Sequence, residues 1–154
     1  MTPSPETFIS RCPELDENLV RDHFARIDPR YFERFDEEEI RFHLGKLAAL
    51  SPGHPFEIAV SQSDGRVACT LFSFDYPSIF SLIVGALSAT GLDIRAGDIF
   101  TYRKARHGEH RRGMRRRFRD RTAAAQSRRR RFIIDRFEGP LPPGMTVAQW
   151  GEEV

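Results

Sequence analysis

The spacing of apolar residues changes period along the chain, and each change marks an element. Leu19, Val20, Phe24 and Ile27, with His23 among them, recur at helical intervals between Leu15 and Ile27, and Asp16 is placed to cap that helix. Asp28-Pro29 ends it, because the residue before a proline avoids the α region. Arg30 to Phe35, RYFERF, is a short aromatic connector. Asp36 opens a second helix with Glu39 three residues on, a capping-box spacing, while Glu37 and Glu38 suit the positive end of the helix dipole. Its apolar stripe is Ile40, Leu44, Leu47 and Ala48, with His43 beside it, and Ser51-Pro52-Gly53 stops it. Residues 1–14 show no such period and are expected to form a flexible leader.

After residue 55 the pattern turns to strands. Phe56 to Ser61, FEIAVS, alternates weakly, and Ser63-Asp64-Gly65 signals a hairpin, since Asp-Gly readily takes the positive φ values of a tight turn. Val67 to Phe74 follows as a partly buried strand. Asp75-Tyr76-Pro77 turns the chain into a helix that Ser78 or Asp75 can help to start. That helix, IFSLIVGALSAT, is mostly apolar and is expected to pack on a sheet, with Gly91 as a left-handed stop. Leu92 to Tyr102 and Arg131 to Gly139, RFIIDRFEG, resume strand patterning. A breaker cluster, PLPPGM, precedes Thr146, which is placed to cap a last helix carrying Val147, Trp150 and Val154. With its Trp expected to be exposed and its last helix about two turns long, the chain reads as a fragment of a longer protein, the alternative being a complete chain with a short terminal helix.

Charge changes the picture. The net charge of +2 hides fourteen Lys/Arg against two acids, Glu109 and Asp120, in residues 103–131, a local +12. The rest of the chain therefore carries −10. An acidic body with a basic, flexible insert is expected. Arg111, Arg112, Arg115, Arg116, Arg117, Arg128, Arg129 and Arg130 form a candidate patch for phosphates of a nucleic acid, or for an acidic protein partner. The same run also reads as a solvated loop, and Phe118 is its only aromatic, which gives little support to base stacking.

Catalytic and metal chemistry find little footing. The five histidines lack ligand spacing, and Cys12 and Cys69 are far apart in sequence, Cys69 within a strand, so both are expected to be ordinary thiols. Asp135 stands without a partner base or further ligands and is expected to be structural, as are the acids Asp36 to Glu39 at their helix start. No Gly-Ser pair followed by spaced aspartates and no His-Asp metal motif occurs. No catalytic residue, metal site or cofactor is therefore expected. No apolar run approaches the ~20 residues that span a bilayer, and the N-terminus lacks a basic region followed by an apolar core, which favours a cytoplasmic location without membrane contact.

The order hairpin, helix, strand, insert, strand, helix contains the β-α-β-β-α series that begins a ferredoxin-like sandwich. Asp75-Tyr76-Pro77-Ser78, then IFSLIVGALSATGL, then Asp93 to Thr101, then Ile134-Asp135-Arg136-Phe137 together resemble an ACT domain. The likeness is closest to the ACT repeats of PII-modifying uridylyltransferases, in which an Asp-x-Pro-Gly turn precedes the helix and a D-x-F-x-V strand comes later. PRYFERF and EEEIRFHLGKL resemble the helical part before those repeats. The resemblance implies an α+β fold: a helical segment over 15–52, then a ferredoxin-like ACT-type αβ sandwich with a mainly antiparallel sheet over 56–154, interrupted by the 103–131 insert. FEIAVS would pair with Val67 to Phe74 in the place of the sandwich's fourth strand. It further implies a non-catalytic regulatory module that senses an amino acid, with glutamine the natural guess for nitrogen signalling, inside a nucleotidyltransferase-like parent. Its ligand residues would be Asp75, Tyr76, Pro77, Ser78 and Ile79, with Asp93 and Ile94 supplied by a second protomer in a homodimer. The turn also reads as a plain strand-to-helix connection, and Ser78 stands where the family has glycine. The alternative is an adaptor that presents the Arg-rich insert to nucleic acid or to an acidic protein.

Overall fold

The computed structural model describes residues 4–105 and 131–154. Four helices come first: α1 (Pro5–Arg11), α2 (Glu17–Arg26), the single turn α3 (Tyr31–Arg34) and α4 (Glu37–Ala49). The strands β1 (Phe56–Ser63) and β2 (Arg66–Phe74), helix α5 (Ile79–Ala89), β3 (Ala96–Thr101), β4 (Phe132–Gly139) and helix α6 (Val147–Glu153) follow. The fold is α+β, with one four-stranded sheet in the order β1-β2-β4-β3 and every neighbouring pair antiparallel.

Local chemistry sets the boundaries. Asp16 accepts from the Leu19 N–H at 2.9 Å, and Asp36 and Glu39 close a reciprocal capping box on α4. Thr146 and Gln149 close a second box on α6. Asp64 and Gly65 take φ values of 51° and 73°, so the β1–β2 hairpin closes in a two-residue turn of the primed kind and pairs Ser63 with Arg66. FEIAVS pairs with β2 along its whole length, as expected from the turn.

Both faces of the sheet are covered. On one face Phe72, Phe74, Phe100, Tyr102, Phe132 and Ile134 pack against Phe8, Val20, Ile27, Tyr31, Phe35, Ile40, Leu44 and Leu47 of the helical segment. On the other, Val67, Cys69 and Phe137 pack with Leu87 of α5, Leu92 and Trp150 of α6. β2 is therefore buried along eight of its nine residues rather than partly buried.

Three sequence expectations change. The leader is not loose: α1 is capped by Ser4, and Phe8 and Cys12 are buried in the first core. Phe8, with Ile9 partly buried beside it, is too isolated to show a period. Trp150 is not exposed: it is fully buried and its indole N–H donates to the Thr90 hydroxyl at 2.9 Å. The strand after α5 begins at Ala96, not Leu92, because residues 92–95 are drawn in as a connector beside β4. Cys12 and Cys69 are both free and buried, and burial pushes the Cys69 thiol up to about 11. No helix among the described residues is long and apolar enough to cross a membrane.

Candidate functional site

The β2–α5 turn is the candidate site that the sequence picks out, and the structure gives it an unusual start. Ser78 occupies the N-cap of α5 with φ 64° and ψ 8°, the left-handed region that disfavours a Cβ. Its side chain makes no capping hydrogen bond, and α5 has no acid in its first turn. The Ile79 N–H reaches back to the Tyr76 carbonyl at 3.2 Å and the Leu82 N–H bonds the Ser78 carbonyl at 3.1 Å. The amides of Phe80 and Ser81 lie between these two, at the positive end of the helix, where an anion is favoured.

Asp75 does not cap the helix. Its carboxylate forms an ion pair with the Arg131 guanidinium, and its backbone N–H donates to the Arg131 carbonyl at 2.8 Å. The turn is thus tied to the first residue before β4. Tyr76 packs on the edge of the first core, its ring 6.2 Å from Phe74, whereas Pro77 and Ser78 are exposed.

Asp93 and Ile94 are elsewhere. They follow the other end of α5, whose eleven residues span about 16 Å at 1.5 Å per residue. Asp93 pairs with Arg95 and its N–H points to the Pro140 carbonyl, while Ile94 packs in the second core. Within one chain the Asp75–Ile79 turn and the Asp93–Ile94 pair do not meet. The predicted patch of Arg111, Arg112, Arg115, Arg116, Arg117, Arg128, Arg129 and Arg130 lies outside the described residues. Two open grooves, of about 530 Å³ beside Phe42 and Gly45 and about 430 Å³ beside Arg66 and Arg136, lie away from the turn.

The surroundings of several polar groups are not legible in the sequence. Asp135 is buried on the α5 side of β4 with Oδ1 unpaired, and burial raises its carboxyl to about 6 against a hydrogen bond from the Phe100 backbone. His23 and His43 are buried in the first core, each 2.6 Å through Nδ1 from a tyrosine hydroxyl, Tyr102 and Tyr31 respectively. Sequence spacing placed both histidines on helix stripes, but the tyrosine partners come from other elements. Among the described residues no group of three His, Cys, Asp or Glu side chains is arranged to hold a metal ion. The helix-start amides at the β2–α5 turn are of the kind that favours an anion.

The strained N-cap makes a direct prediction. Ser78→Gly removes the left-handed penalty but loosens the unfolded chain, leaving a net gain of about 0.5–1 kcal/mol. A melting curve that is unchanged or lower for S78G contradicts the strain. No family model matches this chain, and no curated protein matches it.

Proposed function

We propose that this chain is a non-catalytic regulatory module of ferredoxin-like, ACT-type architecture that senses an amino acid, glutamine first among the candidates. Its parent would be a cytoplasmic nitrogen-signalling protein similar to the PII-modifying uridylyltransferases. The observation that carries the reading is the β2–α5 turn: a β-α-β crossover with β4 inserted between its strands, opening into a helix start with bare amides. In that architecture β1 takes the place of the fourth strand beside β2. A ligand carboxylate suits the amides of Phe80 and Ser81, and Asp75 lies at the same turn to meet an ammonium group once Arg131 shares its charge. A site that also uses Asp93 and Ile94 draws them from a second copy.

The test is a thermal-shift panel of the twenty amino acids on the purified chain. A ligand present at a hundred times its Kd stabilises the native state by about 2.7 kcal/mol, which raises the melting temperature measurably. Glutamine is expected to do so, and Phe80→Pro, which removes one of the two amides at the second position of α5, is expected to abolish the shift while the helix still forms. A flat panel sinks the amino-acid reading. Detectable uridylyl transfer by the chain alone sinks the non-catalytic one.

The concentration of +12 in residues 103–131 supports a second reading, an adaptor for nucleic acid or an acidic protein. Deleting residues 106–128 should then remove a salt-sensitive RNA mobility shift. Binding that is absent, or that survives the deletion, excludes it.

A further inference from the structure

We infer that the polar groove at the hairpin end of the sheet binds a small molecule carrying both a phosphate and hydroxyl groups, as a sugar phosphate does. Strand alternation and register build it. Arg66, Ala68 and Thr70 share one face of β2, with Ala68 opposite Glu138 and Thr70 opposite Arg136 of β4. Asp98 of β3 lies opposite Arg136 on its other side. Arg34 of α3 and Glu39 of α4 reach the same end of this face through ion pairs with Asp98, Glu138 and Arg136. The groove between them has a volume of about 430 Å³ and is lined by Arg34, Asp64, Arg66, Ala68, Arg136 and Glu138.

Part of this network is held rigidly, and part of it is unused. Glu138 Oε1 accepts from Arg34 Nη2 at 2.8 Å and from Arg136 Nε at 2.7 Å, while Arg34 Nε donates to Asp98 at 2.8 Å. Both guanidiniums also lie over the Phe35 ring, at 5.5 and 5.9 Å from its centroid. They are thus positioned before any ligand arrives, which lowers the ordering cost of binding. The Arg66 guanidinium, Arg136 Nη2, Glu138 Oε2 and the Asp64 carboxylate have no partner among the described residues. The side chain of Arg136 is only 16 % exposed, and its Nη1 comes no nearer than 3.6 Å to Glu39, beyond hydrogen-bond distance. A guanidinium so far out of water gains from an acceptor placed in the groove it lines.

The unused groups specify the occupant. Arg66 and Arg136 offer guanidinium donors, whose planar forks match the oxygens of a phosphate. Asp64 and Glu138 offer acceptors, which repel a bare anion and suit hydroxyl donors. Two guanidiniums already neutralise Glu138, so its free Oε2 attracts a hydroxyl better than it attracts a further cation. A phosphate joined to a polyol satisfies both sets at once, and the groove is larger than a phosphate alone needs. The site lies on the face covered by the helical segment, whereas α5 packs on the other. Along β2, Ala68 stands about 23 Å from Asp75, at about 3.3 Å per residue. The inference therefore does not depend on what the β2–α5 turn binds.

Calorimetric titration of the whole chain at low salt tests it with four probes: glucose 6-phosphate, inorganic phosphate, phosphoethanolamine and glucose. Glucose 6-phosphate is expected to bind with a Kd of about 1 mM or tighter, at least about tenfold tighter than the other three. Arg66→Gln should weaken it by about tenfold or more and leave the melting curve unchanged, because Arg66 is exposed at the start of its strand. Asp64→Asn keeps a residue that tolerates the left-handed turn at φ 51°. It should weaken glucose 6-phosphate without weakening inorganic phosphate. Absence of glucose 6-phosphate binding overturns the proposal. Binding that survives R66Q does so too, since it then belongs to the basic charge of residues 103–131. Inorganic phosphate or phosphoethanolamine binding as tightly as glucose 6-phosphate overturns the role given to the hydroxyls, and the proposal with it.

Discussion

Gly139→Ala is expected to cost about 3 kcal/mol or more and to leave the chain unfolded or molten near physiological temperature. An added Cβ at Gly139 would sit 1.9 Å from the Asp93 carbonyl oxygen and 2.8 Å from its carbon. Both obstacles are backbone, so no rotamer change relieves them. The segment cannot drift away without loss, because Arg95 donates its N–H to the Glu138 carbonyl at 2.8 Å and Ile94 is packed in the second core. On its other side Gly139 pairs with Val67 at the end of the β2–β4 ladder. The clash therefore opposes the closure of α5 and the 92–95 connector onto the sheet. Gly45→Ala is the matched control. It lies inside α4 with nothing within 4 Å of the new methyl, and replacing a mid-helix glycine should stabilise by up to about 1 kcal/mol. Urea unfolding of the two variants should move in opposite directions. Equal and small shifts would show that the 92–95 connector yields freely.

The contrast between those glycines also shows what the sequence reveals and what it hides. Gly91 is legible because a glycine after an apolar helix marks a left-handed stop, and its φ is 86°. Gly139 is not legible: its need for a bare Cα comes from a carbonyl 46 positions earlier in the chain. The same division holds throughout. Capping by Asp16, Asp36 and Thr146, and the Asp64-Gly65 turn, depend on residues at most three apart and follow from the sequence. The burial of Phe8 and Trp150, the ion pair of Asp75 with Arg131 and the two His–Tyr pairs depend on partners brought together only by folding. At the candidate site the turn and the helix start were legible, but the positive φ at Ser78 and the separation of Asp93 from Asp75 were not. A serine carries no signal for the left-handed region, and α5 sets the separation by its length.

Acid should destabilise this fold well before its surface carboxylates are protonated. His23 is fully buried and desolvation, helped by the nearby His43, holds its imidazole down to about 3. Desolvation holds His43 down to about 4, with the Arg136 charge adding to it. In the unfolded chain both titrate near 6.5. Between about pH 6.5 and these folded values the unfolded state binds more protons, so stability present above 6.5 falls as the pH drops. Asp135 acts in the opposite sense. Its folded value of about 6 exceeds its unfolded value, so the native state binds the extra proton and regains stability as pH falls from about 6 towards 4. Two histidines outweigh one carboxyl: from pH 7 to pH 4 the balance is a net loss of about 3–4 kcal/mol, at 1.36 kcal/mol per pKa unit. Asp135→Asn separates the contributions, since the amide cannot ionise. The variant should exceed the wild type in stability at pH 7, lose that advantage towards pH 4, and show a steeper decline between. Imidazole resonances of His23 and His43 should remain at their neutral positions from pH 8 to pH 5. Their titration near 6.5 in the folded protein would remove the mechanism, because the tyrosine-paired rings would then be open to solvent.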